Sequence, residues 1–147
     1  MLKIRRAVEE DRLSLFKLSL AMHRETDFQH IALNPQKLLD NLGVWIHQQF
    51  AAVVEDGDVI VGMMFASQLK PWFSDEQYAN EDLLYVSPEY RGTRAAFLLL
   101  RGFMDWVKET DVKHVRAGVS TGTGQGAGRL YEHFGLNHMG GNYVAHV

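Results

Sequence analysis

Leu83-Leu84-Tyr85-Val86-Ser87-Pro88-Glu89-Tyr90-Arg91-Gly92-Thr93-Arg94-Ala95-Ala96 is the stretch on which the reading of this chain turns. Leu83 to Val86 continue an extended run, Ser87-Pro88 ends it, and a helix opens among small residues after Gly92. The first N–H groups of a helix have no partner inside the helix, and the helix dipole places positive potential there. Arg91 and Arg94 add charge, while Gly92, Ala95 and Ala96 let a bulky anion reach the backbone. Read physically, this is a diphosphate cradle. By spacing alone it reads equally as an ordinary strand–helix junction carrying two surface arginines.

Working outward, the 147 residues suit one domain, 1–147, able to bury a real core. The net charge of −3, from 15 Lys and Arg against 18 Asp and Glu, lacks the basic excess of a general nucleic-acid binder, so no nucleic-acid partner is expected. There is no cysteine, hence no disulfide, thiolate metal site or cysteine nucleophile; this fits a reducing cytoplasm. The start MLKIRRAVEEDR has no apolar run of signal-peptide type. The longest apolar run, Ala95 to Leu100, is too short to span a bilayer, so no membrane partner is expected.

Upstream, Leu2 to Arg6 alternates as a short strand. Val8 to His23 follows as a helix with Glu9, Glu10 and Asp11 in its first turn and Leu13, Phe16 and Leu20 at helical spacing. After a loop, Asn34-Pro35 supplies an N-cap and a first-turn proline for a second helix with Leu38, Leu42, Trp45 and Ile46 on its apolar face. Ala51–Glu55 and Val59–Phe65 flank Asp56-Gly57-Asp58 and predict a hairpin. Lys70 to Asn80 reads as a loop and Glu81 to Val86 as a strand. Thr93 to Glu109 is a helix apolar on nearly all sides, Val112 to Val119 a strand, Ala127 to Phe134 a short helix, and Leu136 to Val147 closing strands around Gly140-Gly141. Alternating strands and helices of this kind point to a three-layer α/β sandwich.

Val86-x-Pro88-x-x-Arg91-Gly92 before an apolar helix is similar to the acetyl-CoA motif of the GNAT superfamily of N-acetyltransferases. In the family pattern Gln/Arg-x-x-Gly-x-Gly/Ala, Arg91 and Ala96 match, and Arg94 stands where Gly is usual. Ala127-Gly128-Arg129-Leu130-Tyr131-Glu132-His133-Phe134-Gly135-Leu136 resembles the later motif Ala-x-x-x-Tyr-x-x-x-Gly-Phe. The asparagine often found near the start of that helix is replaced by the stretch Gly124-Gln125-Gly126. The element order agrees along nearly the whole chain. The resemblance implies a mixed, mostly antiparallel sheet with helices on both faces, in the order β-α-α-β-β-β-α-β-α-β(-β).

It implies function as well: direct transfer of acetyl from acetyl-CoA to an amine, with no metal and no covalent enzyme intermediate. Leu84, Tyr85, Val86, Arg91, Gly92, Thr93, Arg94, Ala95 and Ala96 match the cofactor-binding positions. Backbone groups of Leu84 and Val86 would face the pantetheine and the thioester carbonyl, where an N–H stabilises negative charge on oxygen. Tyr131 matches the tyrosine that protonates the leaving thiolate, although a phenol at pKa ~10 is a weaker acid than a thiol at ~8.5. Glu81 is the first choice of general base. Asp82, Glu25, Asp27, His23 and a base acting through water are the alternatives.

The acceptor site in the family is built from the first helix–helix loop, here Glu25–Leu33, and from the last strands. The acceptor is a small-molecule or peptide amine, and the acidic balance slightly favours a cationic one. A homodimer is common in the family. The second reading is a non-catalytic module that binds CoA or a protein. The run Gly122 to Gly128 lacks the Lys-Ser/Thr of a phosphate loop. The seven histidines show no His-x-His or His-Glu-x-x-His spacing, so no metal site is expected. Met63, Met64 and Trp106 read as core, while Trp72 and Phe73 read either as pocket or as core cap.

Overall fold

The computed structural model describes residues 1–118 and 126–147. The elements run β1 (Leu2–Arg6), α1 (Arg12–Glu25), α2 (Pro35–Gln48), β2 (Phe50–Asp56), β3 (Val59–Leu69), β4 (Tyr78–Val86), α3 (Ala95–Glu109), β5 (Val115–Arg116) and α4 (Ala127–His133). The strands form one sheet in sequential order. β1 to β4 pair antiparallel, while among the described residues β5 joins β4 in parallel through Ala79↔Val115 and Asn80↔Arg116.

Strand alternation divides the core into two layers. From β2, Phe50, Ala52 and Val54 pack under α3 together with Met64 and Val86. Ala51 and Val53 turn the other way, with Met63, Phe65 and Tyr85, toward α1 and α2. α3 buries Leu99, Leu100 and Phe103 completely, which explains its almost unbroken apolar run. At Gly62 a Cβ would lie 2.9 Å from Val54 Cγ1, 3.2 Å from the Tyr85 carbonyl oxygen and 3.3 Å from Leu99 Cδ1. Glycine there lets α3 settle onto the sheet. Gly62→Val is expected to cost about 1–3 kcal/mol through overpacking, read as a lower midpoint in urea at unchanged m.

The Asn34 side chain caps α2 by accepting from the Lys37 N–H at 3.1 Å, with Pro35 in the first turn. The β2–β3 turn is closed by Gly57 at φ 62°. At α1 the sequence reading is displaced. Residues 9–11 form a single 3-10 turn, because the Asp11 carboxylate takes the Val8 N–H at 2.8 Å and pairs with Arg5 at 2.7 Å. Leu15 and Ser19 are the buried positions of α1, whereas Leu13 is exposed.

β4 starts at Tyr78, inside the expected loop, since the Ala79 N–H bonds the His114 carbonyl at 3.0 Å. The expected closing strands are absent: residues 136–147 carry no strand. With only two residues, β5 offers little ladder to extend, and Met139, Tyr143, Val144 and Val147 are left exposed. Among the described residues no helix is long and apolar enough to cross a membrane.

Candidate active site

The site begins on β4, past the last described pair with β5, Asn80↔Arg116. Beyond Asn80, β4 pairs among the described residues only with β3. The Ser87 N–H donates to the Val61 carbonyl at 2.8 Å, which fixes the hydrogen-bonding phase of the pair. By antiparallel alternation Tyr85 turns its backbone toward Met63, and Leu84 and Val86 turn theirs to the open edge. Arg91 Nε reaches the Val86 carbonyl from that side, at 3.0 Å. Asp82 is the extra residue of a bulge, since Phe65 faces Leu83 and Ala66 faces Glu81. The bulge sends Asp82 to the α2 side and leaves Glu81 on the other.

Where β4 and β5 part, three groups meet. The Tyr131 hydroxyl, carried on α4, lies 3.2 Å from Glu81 Oε2 and 3.2 Å from the Gly118 carbonyl oxygen. The Gly118 N–H donates to Glu81 Oε2 at 3.2 Å. Burial pushes the Glu81 carboxyl up to about 6, against smaller opposing effects of the Gly118 N–H and the Tyr131 hydroxyl. Burial first, and the Glu81 charge second, hold the Tyr131 phenol above its ordinary value of 10.0. The two groups are thus an acid and a base whose affinities depend on each other's charge.

The loop after β4 makes one 3-10 turn, Pro88–Tyr90, and reverses at Gly92 with φ 84°, a left-handed conformation that favours glycine. Thr93 Oγ1 accepts from the Ala95 N–H at 3.3 Å, and the Leu98 N–H donates to the Arg94 carbonyl at 2.9 Å. Ala95 is fully buried and Ala96 half-buried at this helix end. Arg94 lies along α3 with its guanidinium 5.3 Å from the centre of the Phe97 ring. Arg91 instead pairs with Glu25 at the end of α1 and stands 5.5 Å over the Tyr85 ring. Tyr85 Oη donates to the same Glu25 at 2.8 Å, and burial followed by that bond raises its pKa to about 12. Tyr85 therefore sits on the opposite side of the strand from Leu84 and Val86.

On the α1–α2 side lies a pocket of about 280 Å³. Its walls come from α1, from the turn at 27–30, from α2 and from Phe65 and Leu83 of the sheet. This is the Glu25–Leu33 region singled out in the sequence. Trp45 stacks on Phe65 at 4.6 Å and donates its Nε1–H to Asp82 at 2.8 Å; Ser67 and Asn80 also donate to Asp82, at 2.5 and 2.8 Å. Of the other candidate bases, His23 is bound to the Ile31 carbonyl at 2.7 Å. Asp27 pairs with His146 at 2.9 Å, and His30 completes a group whose ligand atoms lie within 4.8 Å. No sequence spacing could reveal that group, because it joins the turn after α1 to the chain end. Trp72 and Phe73 are exposed and neither line the pocket nor cap the core. The stretch Gly124-Gln125-Gly126 falls mostly outside the described residues.

Comparison with curated protein sequences gave no match. Solved structures align over the full length at low identity. The transcriptional regulator from Bacillus halodurans C-125 superimposes with a TM-score of 0.77 at 16% identity, covering 100% of each chain. AAC(6')-Iy in complex with a bisubstrate analogue, CoA-S-monomethyl-acetylneamine, gives 0.75 at 12%, covering 100% of this chain and 98% of that one. The ribosomal-protein-alanine N-acetyltransferase from Brucella melitensis biovar Abortus 2308 gives 0.71 at 15%, covering 100% and 99%. These likenesses show the fold. The model of the Acetyltransferase (GNAT) family matches residues 14–136, from α1 through α4 to Leu136. With that match spanning most of its length, the chain belongs to the acetyltransferase (GNAT) family.

Proposed function

We propose that this protein is an acetyl-CoA-dependent N-acetyltransferase of the cytoplasm that moves the acetyl group directly to an amine. The Glu81–Tyr131–Gly118 group at the parting of β4 and β5 carries the reading. The surroundings fit a CoA thioester on three counts. Among the described residues the β4 edge is unpaired at Leu84 and Val86, the α3 end is bordered by Gly92, Ala95 and Ala96, and the Arg91 Nε–H donates to the Val86 carbonyl of that edge. Arg91 is held by Glu25 here, so a pyrophosphate would have to take it from that carboxylate. Acetyl-CoA supplies an acyl carbon already activated by sulfur.

Glu81 takes the proton from the amine nitrogen as that nitrogen bonds to the acyl carbon. The Tyr131 hydroxyl gives its proton to the sulfur as the C–S bond breaks. A phenol next to a carboxylate is a poor acid, but protonation of Glu81 removes that charge and strengthens Tyr131 at the moment it is needed. The hydrogen bond between them then returns the proton from Glu81 to the phenolate and restores both groups. Backbone N–H groups at the open edge of β4 would stabilise charge on the acyl oxygen.

Release of free CoA thiol, followed with acetyl-CoA and a panel of primary amines, tests the reading. Amine-dependent thiol release with matching acetylated product is expected. Acetyl-CoA bound without thiol release from any amine would instead favour a module that holds CoA without catalysis.

A further inference from the structure

We infer that the acceptor is a small amine with an aromatic or branched apolar body, and that the pocket between α1, α2 and the sheet receives that body. The inference rests on the N-acetyltransferase reading and narrows it. The walls that decide it are Met22, Phe28, Leu38, Trp45, Phe65 and Leu83. The two polar side chains among the lining residues are already engaged. Ser19 Oγ donates to the Leu15 carbonyl at 2.8 Å, and His23 Nε2 is bound to the Ile31 carbonyl at 2.7 Å. A sugar hydroxyl entering this space would lose its water and find few partners, at about 1–3 kcal/mol each. The walls therefore select against polyhydroxylated amines such as the aminoglycosides.

Size gives the same answer. A volume of about 280 Å³ accommodates one ring and a short chain. Charge supplies the orientation. Leu83 lies at the sheet side of the pocket, one residue before the open-edge position Leu84. Trp45, another wall, is hydrogen-bonded to Asp82, so a carboxylate stands at the β4 end. An ammonium drawn to that end approaches the β4 edge from the α1–α2 side, across the strand from Glu81, while its apolar body stays against Trp45 and Phe65. The outer rim repeats the preference: Phe28 and Ile31 are 39% and 65% exposed.

The test compares kcat/KM for phenethylamine, ethylamine, kanamycin and a lysine-containing tripeptide, with acetyl-CoA binding measured by calorimetry in parallel. Phenethylamine should exceed ethylamine by about 100-fold, the worth of a buried ring, and should exceed kanamycin and the peptide by at least as much. Ile31→Asp, at an exposed rim position, should lower the phenethylamine value about tenfold. It should leave the acetyl-CoA Kd and the melting temperature unchanged. Kanamycin or the peptide outrunning phenethylamine, or phenethylamine and ethylamine used alike, would overturn the inference and leave the acetyltransferase reading intact. Failure to bind acetyl-CoA, or bound acetyl-CoA with no amine turned over, would overturn both.

Discussion

Tyr131→Phe is expected to lower kcat by about 10²–10⁴-fold while leaving acetyl-CoA affinity unchanged. The substitution removes one hydroxyl that lies 3.2 Å from both Glu81 Oε2 and the Gly118 carbonyl oxygen, on a side chain only 8% exposed. The ring keeps its packing against the sheet, so the loss of stability should be near 1 kcal/mol, that of a modest hydrogen bond. A second readout separates chemistry from structure. The Tyr131 hydroxyl lowers the Glu81 pKa, so the variant should move the acid limb of any remaining activity to higher pH. A variant with near-normal kcat would remove Tyr131 from the proton transfer and leave it a packing residue.

Glu81→Gln should abolish the pH dependence that Glu81 imposes. With its carboxyl raised from 4.5 to about 6, wild-type kcat/KM is expected to rise about tenfold per pH unit below 6 and then level off. The glutamine variant should show no inflection near 6 and a rate about 10²–10³-fold below the wild-type plateau. Stability should respond in the opposite sense. A carboxyl whose native pKa exceeds its unfolded value binds its proton more tightly in the native state. Its contribution is therefore complete below pH 4.5 and is lost as the pH rises through about 6. The shift corresponds to about 2 kcal/mol before any allowance for the partial exposure of Glu81. At pH 7.5 the variant should melt no lower than wild type. A clear drop in melting temperature, or a retained inflection, would show that Glu81 is structural and that another group is the base.

Much of this was legible in the chain because the decisive features are local. Asn34-Pro35, Asp56-Gly57 and the unbroken apolar run of α3 each specify their element through neighbours a few residues away. Tyr131 and Glu81 could be named from motif and strand position, yet their meeting depends on α4 docking 50 residues from β4. The engagement of Arg91 by Glu25, 66 positions earlier, leaves no mark in either local pattern. The role of Asp82 was hidden by a bulge, which reverses the facing expected from simple alternation. The closing strands failed for a different reason: apolar residues at 139, 143 and 144 look strand-like, but a strand forms only where an edge is long enough to accept it.

Calorimetric titration of acetyl-CoA into the wild-type protein and into Arg91→Glu tests the central claim most directly. The Arg91 Nε–H donates to the Val86 carbonyl at the β4 edge, so reversing its charge would place a carboxylate in the site proposed for the pyrophosphate. One site per chain with a micromolar Kd is expected, weakened at least tenfold in the variant. Absence of heat at millimolar acetyl-CoA, or equal affinity in both proteins, would contradict the assignment of this edge and helix end as the cofactor site.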